Sequence, residues 1–206
     1  MTEKRAYHHG ALRPALIAAA RAILGEHGTA GLTLRECARR AGVSNAAPQH
    51  HFADKTALLT AVAAAGFRDL TASMDAYGHA AGRDPRTRLR EVGVGYIAFA
   101  VEHPETFRLI FGQSRLYTND PEYSEAAGAA FDRLADAVVA ASGINDRADT
   151  QAEQRMKHAW SVVHGYAMLW LGGALANTLH VPSDPTAVLK DARRFLVDAA
   201  PLDASG

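Results

Sequence analysis

The sequence predicts an all-α protein, a small three-helix helix-turn-helix domain followed by a larger helical domain. Ala and Leu are abundant, β-branched runs are few, and the breaks fall at Gly, Pro and Asp-Pro pairs, so no segment reads as a strand. Residues 32–55, LTLRECARRAGVSNAAPQHHFADK, place three helix starts and one sharp turn in a short span. At 206 residues the chain can bury a substantial core, as one large domain or as a small domain joined to a larger one.

A first helix is predicted over residues 11–27, with Leu12, Leu16, Ala19 and Ile23 on one face and Gly28 and Gly31 ending it. Thr33 followed by Glu36 is a capping box, in which each side chain satisfies a free N–H of the first turn, with Leu32 and Cys37 at the staple positions. Leu34, Ala38 and Ala41 continue that helix until Gly42, where positive φ is available without steric cost. Ser44 is a second N-cap candidate, so the next helix, over residues 44–51, starts almost at once and crosses the first steeply. Pro48 lacks an N–H and makes that helix short and stiff. Asp54 caps a long helix carrying Leu59, Val62, Gly66, Leu70 and Met74 on one stripe, with a break at 78–84.

Residues 85–103 form another long helix and Pro104 opens a shorter one to residue 111, since proline is tolerated in a first turn. A loop at 112–120 precedes helices over 121–142, about 150–179 and 185–199. The second of these, with Trp160, Val162, Val163, Tyr166, Met168, Leu169, Trp170 and Leu171, is apolar on nearly every side and must be covered all round. The last carries Val188, Leu189, Ala192, Phe195 and Leu196 on its apolar face.

Net charge is zero, yet residues 1–60 hold eight Lys/Arg against four Asp/Glu and the remainder fourteen against eighteen. A basic module on an acidic body attracts phosphate without general stickiness toward polyanions. The single cysteine, Cys37, makes no internal disulfide and is read as buried packing. No apolar run reaches the roughly 20 residues of a membrane span. The N-terminal MTEKRAYHHG has charge but no apolar stretch behind it, so it is not read as a secretory signal, and a cytoplasmic location is expected.

Residues 9–62, through HGALRPALIAAA, LTLRECARRAGVS and HFADKTALLTAV, resemble the DNA-binding domain of the TetR family of bacterial transcriptional regulators. Trp160, His164 and Gly165, with EHPETFRLIF upstream, resemble the subgroup whose C-terminal domain is named for Trp-His-Gly. The resemblance implies a homodimer that reads a palindromic double-stranded DNA operator and is released by a small-molecule effector, with half-sites about 34–36 Å apart or a multiple of it. It implies an arm at 1–9, a helix-turn-helix domain at 10–60 whose last helix links to about 78, and a ligand-binding and dimerisation domain at 79–200. Repression is the expected mode, with activation left open.

In such a reading head Asn45, Ala46, Gln49, His50 and His51 follow the Ser44 start. Asn and Gln bond adenine edges, and alanine methyls at Ala46 and Ala47 suit thymine. Gln49 stands where the family commonly has a tyrosine. Thr33, with Arg35 beside it, and Lys55 lie at helix starts, where free N–H groups attract phosphate, so they are expected to clamp the DNA backbone. Lys4 and Arg5 either reach a minor groove or belong to a disordered terminus.

In the larger domain Tyr96, Phe99, Phe107, Phe111 and Trp160, with Met168, are either the wall of an effector pocket or ordinary core. His103, His164 and Tyr96 are its candidate polar handles. The dimer interface implied by the family falls on the last two helices, through Leu171, Gly172, Leu175, Ala176, Leu189, Phe195 and Leu196.

No metal or cofactor is expected. His50 and His51, like His8 and His9, are neighbours that do not converge on one ion. A helical di-metal oxidase needs Glu-x-x-His pairs, whereas Glu102 adjoins His103 and Glu153 lies five before His158. No enzyme is therefore expected, and there is no nucleophile motif or phosphate loop. A helical enzyme or interaction module would be distinguished by showing no operator preference.

Overall fold

The computed structural model describes residues 12–144, 146–181 and 184–198. The arm at 1–9, Ala11, Ala199 and Ala200 lie outside them. The described residues form helices α1 (Leu12–His27), α2 (Leu34–Arg40), α3 (Lys55–Ala80), α4 (Pro85–Glu102), α5 (Pro104–Phe111), α6 (Pro121–Ser142), α7 (Thr150–Leu171), α8 (Ala174–Leu179) and α9 (Pro185–Asp198), with a 3-10 turn at Ala47–His50. No strand occurs among them. None of their helices is long and apolar enough to cross a membrane.

Two compact units result, Met1–Gly66 with Glu105–Glu125, and Phe67–Pro104 with Ala126–Gly206. The division falls inside α3, before the break expected near residue 78, and it assigns α5 after Pro104 to the first unit. Helix α3 also runs through Gly78 to Ala80, and Gly78 sits where a Cβ would meet Val92 at 2.8 Å.

In the first unit α1 buries Leu16, Ala20, Ile23 and Leu24, and α2 packs on it. Leu32 and Cys37 are fully buried, as the staple predicts. The capping box forms by half. Thr33 Oγ1 accepts from the Glu36 N–H at 3.1 Å, but the Glu36 carboxylate accepts from Arg39 at 2.6 and 2.8 Å and from Arg40 at 3.1 Å. A guanidinium offers the carboxylate a stronger, charge-assisted partner than the backbone does. Gly42 takes φ +69°, and the Val43 N–H returns to Ala38 O at 3.0 Å, closing the helix end.

The predicted helix over 44–51 is instead one 3-10 turn that starts from Ala46 with no side-chain cap, so Ser44 is not an α-helical N-cap. An α-helix would need the residue-48 N–H to reach Ser44 O, and Pro48 has none. The chain bonds three residues back, Ala47 N–H to Ser44 O at 3.0 Å and Gln49 N–H to Ala46 O at 3.2 Å. Asp54 caps α3 as expected, Oδ1 accepting from the Ala57 N–H at 2.8 Å.

The second unit is organised around α4, whose residues from Val92 to Val101 are all buried and which packs against α7 and α9. At the α3 crossing the Ser73 hydroxyl donates to Gly95 O at 2.8 Å. The helix expected over 150–179 breaks at Gly172 and Gly173, the latter at φ +74°, into α7 and α8. Positive φ is open to glycine but ends a right-handed helix. Nor is α7 covered all round, for Trp160, Met168 and Leu169 stay exposed while Met156, Val163, Tyr166 and Ala167 are buried. Tyr166 ties α9 to α7, its hydroxyl donating to Asp191 Oδ2 at 2.8 Å.

Gly95 sets how closely α3 and α4 approach, since a Cβ there would lie 2.7 Å from Ser73 O and 2.8 Å from Met74 Cα, both backbone atoms. Gly95→Ala is expected to cost about 1–3 kcal/mol or more. Gly128→Ala on α6 meets nothing within 4 Å and should stabilise by about 0.5–1 kcal/mol. Thermal denaturation of the two variants checks both signs.

Candidate nucleic-acid interface and ligand-binding residues

The turn between α2 and α3 is fixed at its two ends and exposed between them. Pro48 and Phe52 are buried, and Pro48 O accepts the N–H of Phe52 at 2.9 Å. Ser44, Asn45, Ala46, Gln49, His50 and His51 are all exposed, so each of these predicted reading residues stands on one accessible segment.

The clamp residues differ in state. Thr33 and Arg35 are exposed at the start of α2, and among the described residues Arg35 has no ion-pair partner. Arg39 and Arg40 are engaged with Glu36, and Arg40 also forks onto Glu26 at 2.6 and 2.7 Å. Hydrogen bonds from Arg39 and Arg40 hold the Glu36 carboxyl down at about 2. Lys55 is half-buried and donates from Nζ to Thr29 O at 2.6 Å. That bond uses one of three ammonium donors and holds the head at the α3 start.

Of the aromatic residues expected to share a pocket, Phe107 and Phe111 belong to the first unit, ring centres 4.8 Å apart, with Phe107 fully buried. Helix α5 packs on α3 within that unit, Thr106 Cγ2 coming 2.5 Å from where a Gly66 Cβ would sit. In the second unit Tyr96, Trp160 and His164 converge. The Trp160 indole N–H, a donor only, points at the Tyr96 oxygen at 3.4 Å. The Tyr96 hydroxyl and His164 Nδ1 share a hydrogen bond at 2.9 Å, whose direction follows the imidazole tautomer. Burial pushes the Tyr96 hydroxyl pKa up and the His164 pKa down, keeping both neutral. Phe99 is buried with its ring 5.3 Å from that of exposed His103, and Met168 is exposed.

Sequence reasoning does not anticipate Phe131. Standing in the Ala-rich stretch of α6, it is 48% exposed and lies edge-on to the 42% exposed Trp160 at 6.5 Å, extending an open aromatic wall. A cavity of about 590 Å³ lies elsewhere in the same unit, lined by Ala76, Tyr77, Thr87, Glu91 and Arg193 among others. No signal in the sequence marks these, since residues of α3, α4 and α9 come together there.

Among the expected dimer residues Leu175 is buried and Leu196 lies close to Gly93, its Cδ1 3.1 Å from where a Cβ would be. Leu171, Ala176 and Leu189 are half-buried, while Gly172 and Phe195 are exposed. Leu169, Leu179 and Val197, outside the expected set, are more than half exposed. No cluster of His, Cys, Asp or Glu suited to a metal occurs among the described residues.

The neutral His164 has a consequence for stability. Its folded pKa lies below the unfolded value, so the unfolded chain binds more protons on acidification, and the contribution present above about pH 6.5 is lost as pH falls. The Tm advantage of wild type over His164→Phe should therefore shrink from pH 7 to pH 5; a constant difference would remove His164 from this role.

Comparison with known proteins agrees with this geometry. Residues 16–62 match a family model described as bacterial regulatory proteins, tetR family, and residues 89–195 match one described as tetracyclin repressor-like, C-terminal domain. The HTH-type transcriptional regulator BetI of Burkholderia lata is 32% identical over 89% of this chain and 91% of its own length. A solved structure of a protein of unknown function from Rhodococcus sp. RHA1 is 34% identical, superposes with a TM-score of 0.75, and covers 95% of this chain and 98% of that one. The TetR family regulator PfmR from Thermus thermophilus, 16% identical with a TM-score of 0.63 over 89% and 96% of the two chains, shares the fold.

Proposed function

Because this chain belongs to the TetR family of bacterial transcriptional regulators, we propose that it is a ligand-responsive repressor that binds a palindromic operator as a homodimer. The observation that carries this reading is the exposed segment Ser44–Ala46 with Gln49–His51, anchored at Pro48 and Phe52 and flanked by the helix starts bearing Thr33, Arg35 and Lys55. Asn45, Gln49 and His50 reach base edges, Ala46 lies against thymine methyls, and Ser44 and His51 border the groove. Thr33, Arg35 and Lys55 hold phosphates, which place the turn without themselves reading sequence.

An effector binds along the edge of α7 where Trp160, His164 and Tyr96 meet, with Phe99, His103 and Met168 around them. Neutral imidazole, phenol and indole groups beside Phe131 suit a ligand with an apolar body and a hydrogen-bonding head. Convergence of Trp160 and His164 on Tyr96, one turn apart on α7 with Gly165 following, supports the Trp-His-Gly subgroup. Exposed Met168, Leu169, Leu179, Phe195 and Val197 on α7 to α9 supply the dimer face, where apolar area of this kind is ordinarily covered. Leu171, Gly172, Ala176 and Leu189 form its flanks. With the operator occupied by the unliganded dimer, polymerase is excluded; an effector changes the separation of the two reading turns from the roughly 34–36 Å that adjacent half-sites demand.

Selection of bound duplexes from a random pool should enrich a palindrome, and a chain that enriches none is not an operator-binding repressor. On that operator Lys55→Ala should lower the slope of log K against log salt by about 0.9, the signature of one lost phosphate contact. Gln49→Ala should change the preferred bases with little change in slope. Val197→Glu should convert the dimer to monomer by sedimentation, since an unpaired charge would be buried in the interface.

A further inference from the structure

We propose that Tyr117 is a positioning residue for operator reading, holding the start of α3 from the loop between α5 and α6; the inference rests on the operator-binding function proposed above. Tyr117 lies in the first unit and reaches α3 twice. Its hydroxyl donates to Asp54 Oδ2 at 2.7 Å, and its backbone N–H donates to Thr60 Oγ1 at 3.0 Å. Asp54 is the residue that caps α3, immediately before Lys55, and Thr60 is buried. The hydroxyl thus completes a carboxylate already accepting from the Ala57 N–H and draws its charge away from the surface where phosphate is to sit.

A second hold comes from the same segment. Glu122 pairs with Arg13 of α1, and the Arg13 guanidinium lies 5.6 Å from the centre of the Phe52 ring, the buried residue that anchors the far end of the reading turn. Residues 117–122 therefore grip Asp54 directly and Phe52 through Arg13. The loop is stiff enough to do so. Asp120 N–H donates to Tyr117 O at 2.9 Å, Ser124 Oγ donates to Thr118 O at 2.9 Å, and Tyr123 N–H donates to Asp120 Oδ1 at 3.0 Å.

The placement gives Tyr117 influence on the reading turn without contact with base or phosphate. The segment is joined covalently to α4 through α5 and continues into α6, whose later residues belong to the second unit.

Tyr117→Phe keeps the ring and the backbone bond to Thr60 and removes only the hydroxyl, so the variant folds. Its affinity for the duplex selected by the wild-type chain, and for a scrambled duplex of equal length, is read by fluorescence anisotropy across a salt series. The operator affinity is expected to fall roughly three- to ten-fold, the worth of one net hydrogen bond. Affinity for the scrambled duplex and the salt slope should stay unchanged, because no phosphate contact is lost. Adding Tyr117→Phe to Asp54→Ala should produce no further loss. Unchanged operator affinity, or an equal loss on both duplexes, overturns the proposal. Failure of the wild-type chain to enrich any operator would overturn the repressor reading and this inference together, whereas an enriched operator bound equally by Tyr117→Phe overturns this inference alone.

Discussion

The reading turn cannot hold its own shape, and the first unit is built around that constraint. A 3-10 turn of four residues, Ala47–His50, has few hydrogen bonds of its own and an N-cap position with no side-chain cap. Its geometry is imposed from outside, by burial of Pro48 and Phe52 and by the bond between them. Phe52 in turn lies under Arg13, α2 enters the turn through the left-handed Gly42, and α3 leaves it through the Asp54 cap. Burying the anchors while leaving Asn45, Gln49 and His50 exposed separates two demands, rigidity of the backbone and accessibility of the side chains.

Much of this arrangement is legible in the sequence because it is local. Thr33, Gly42 and Asp54 act within four residues of themselves, and each does what its chemistry dictates. The second helix of the motif departs from expectation for an equally local reason. Pro48 reads as stiffening an α-helix, but the N–H it lacks is the one that would have reached Ser44 O. Gly172 and Gly173 read as part of one continuous helix, whereas Gly173 adopts positive φ and ends α7. What stays illegible depends on long-range pairing. Nothing near Tyr117 indicates Asp54, 63 positions earlier, and nothing near Phe107 indicates that α5 joins the first unit.

Charge shows the same division between count and geometry. The excess of Lys and Arg in residues 1–60 suggests a diffuse positive field, yet Arg39 and Arg40 are bound to Glu26 and Glu36, and Lys55 is tethered to Thr29 O. The cationic character that remains available at the start of α2 is concentrated at Arg35. Paired arginines contribute rigidity to the α1–α2 corner instead of attraction at a distance. On the proposed reading, phosphate recognition is a matter of a few placed donors, and its salt dependence reflects contacts made rather than the formal charge of the segment.

Helix α7 presents the converse problem, a helix apolar on almost every side in a chain that covers only part of it. Val163, Tyr166 and Ala167 are buried where α7 packs on α4, and Met168 and Leu169 remain open to solvent. Trp160 and His164 occupy the margin between these faces, half turned to the interior through Tyr96 and half exposed beside Phe131. On the proposed reading, α7 is packed on one side by its own chain and on the other by a second copy, with the effector at the edge where the two faces meet.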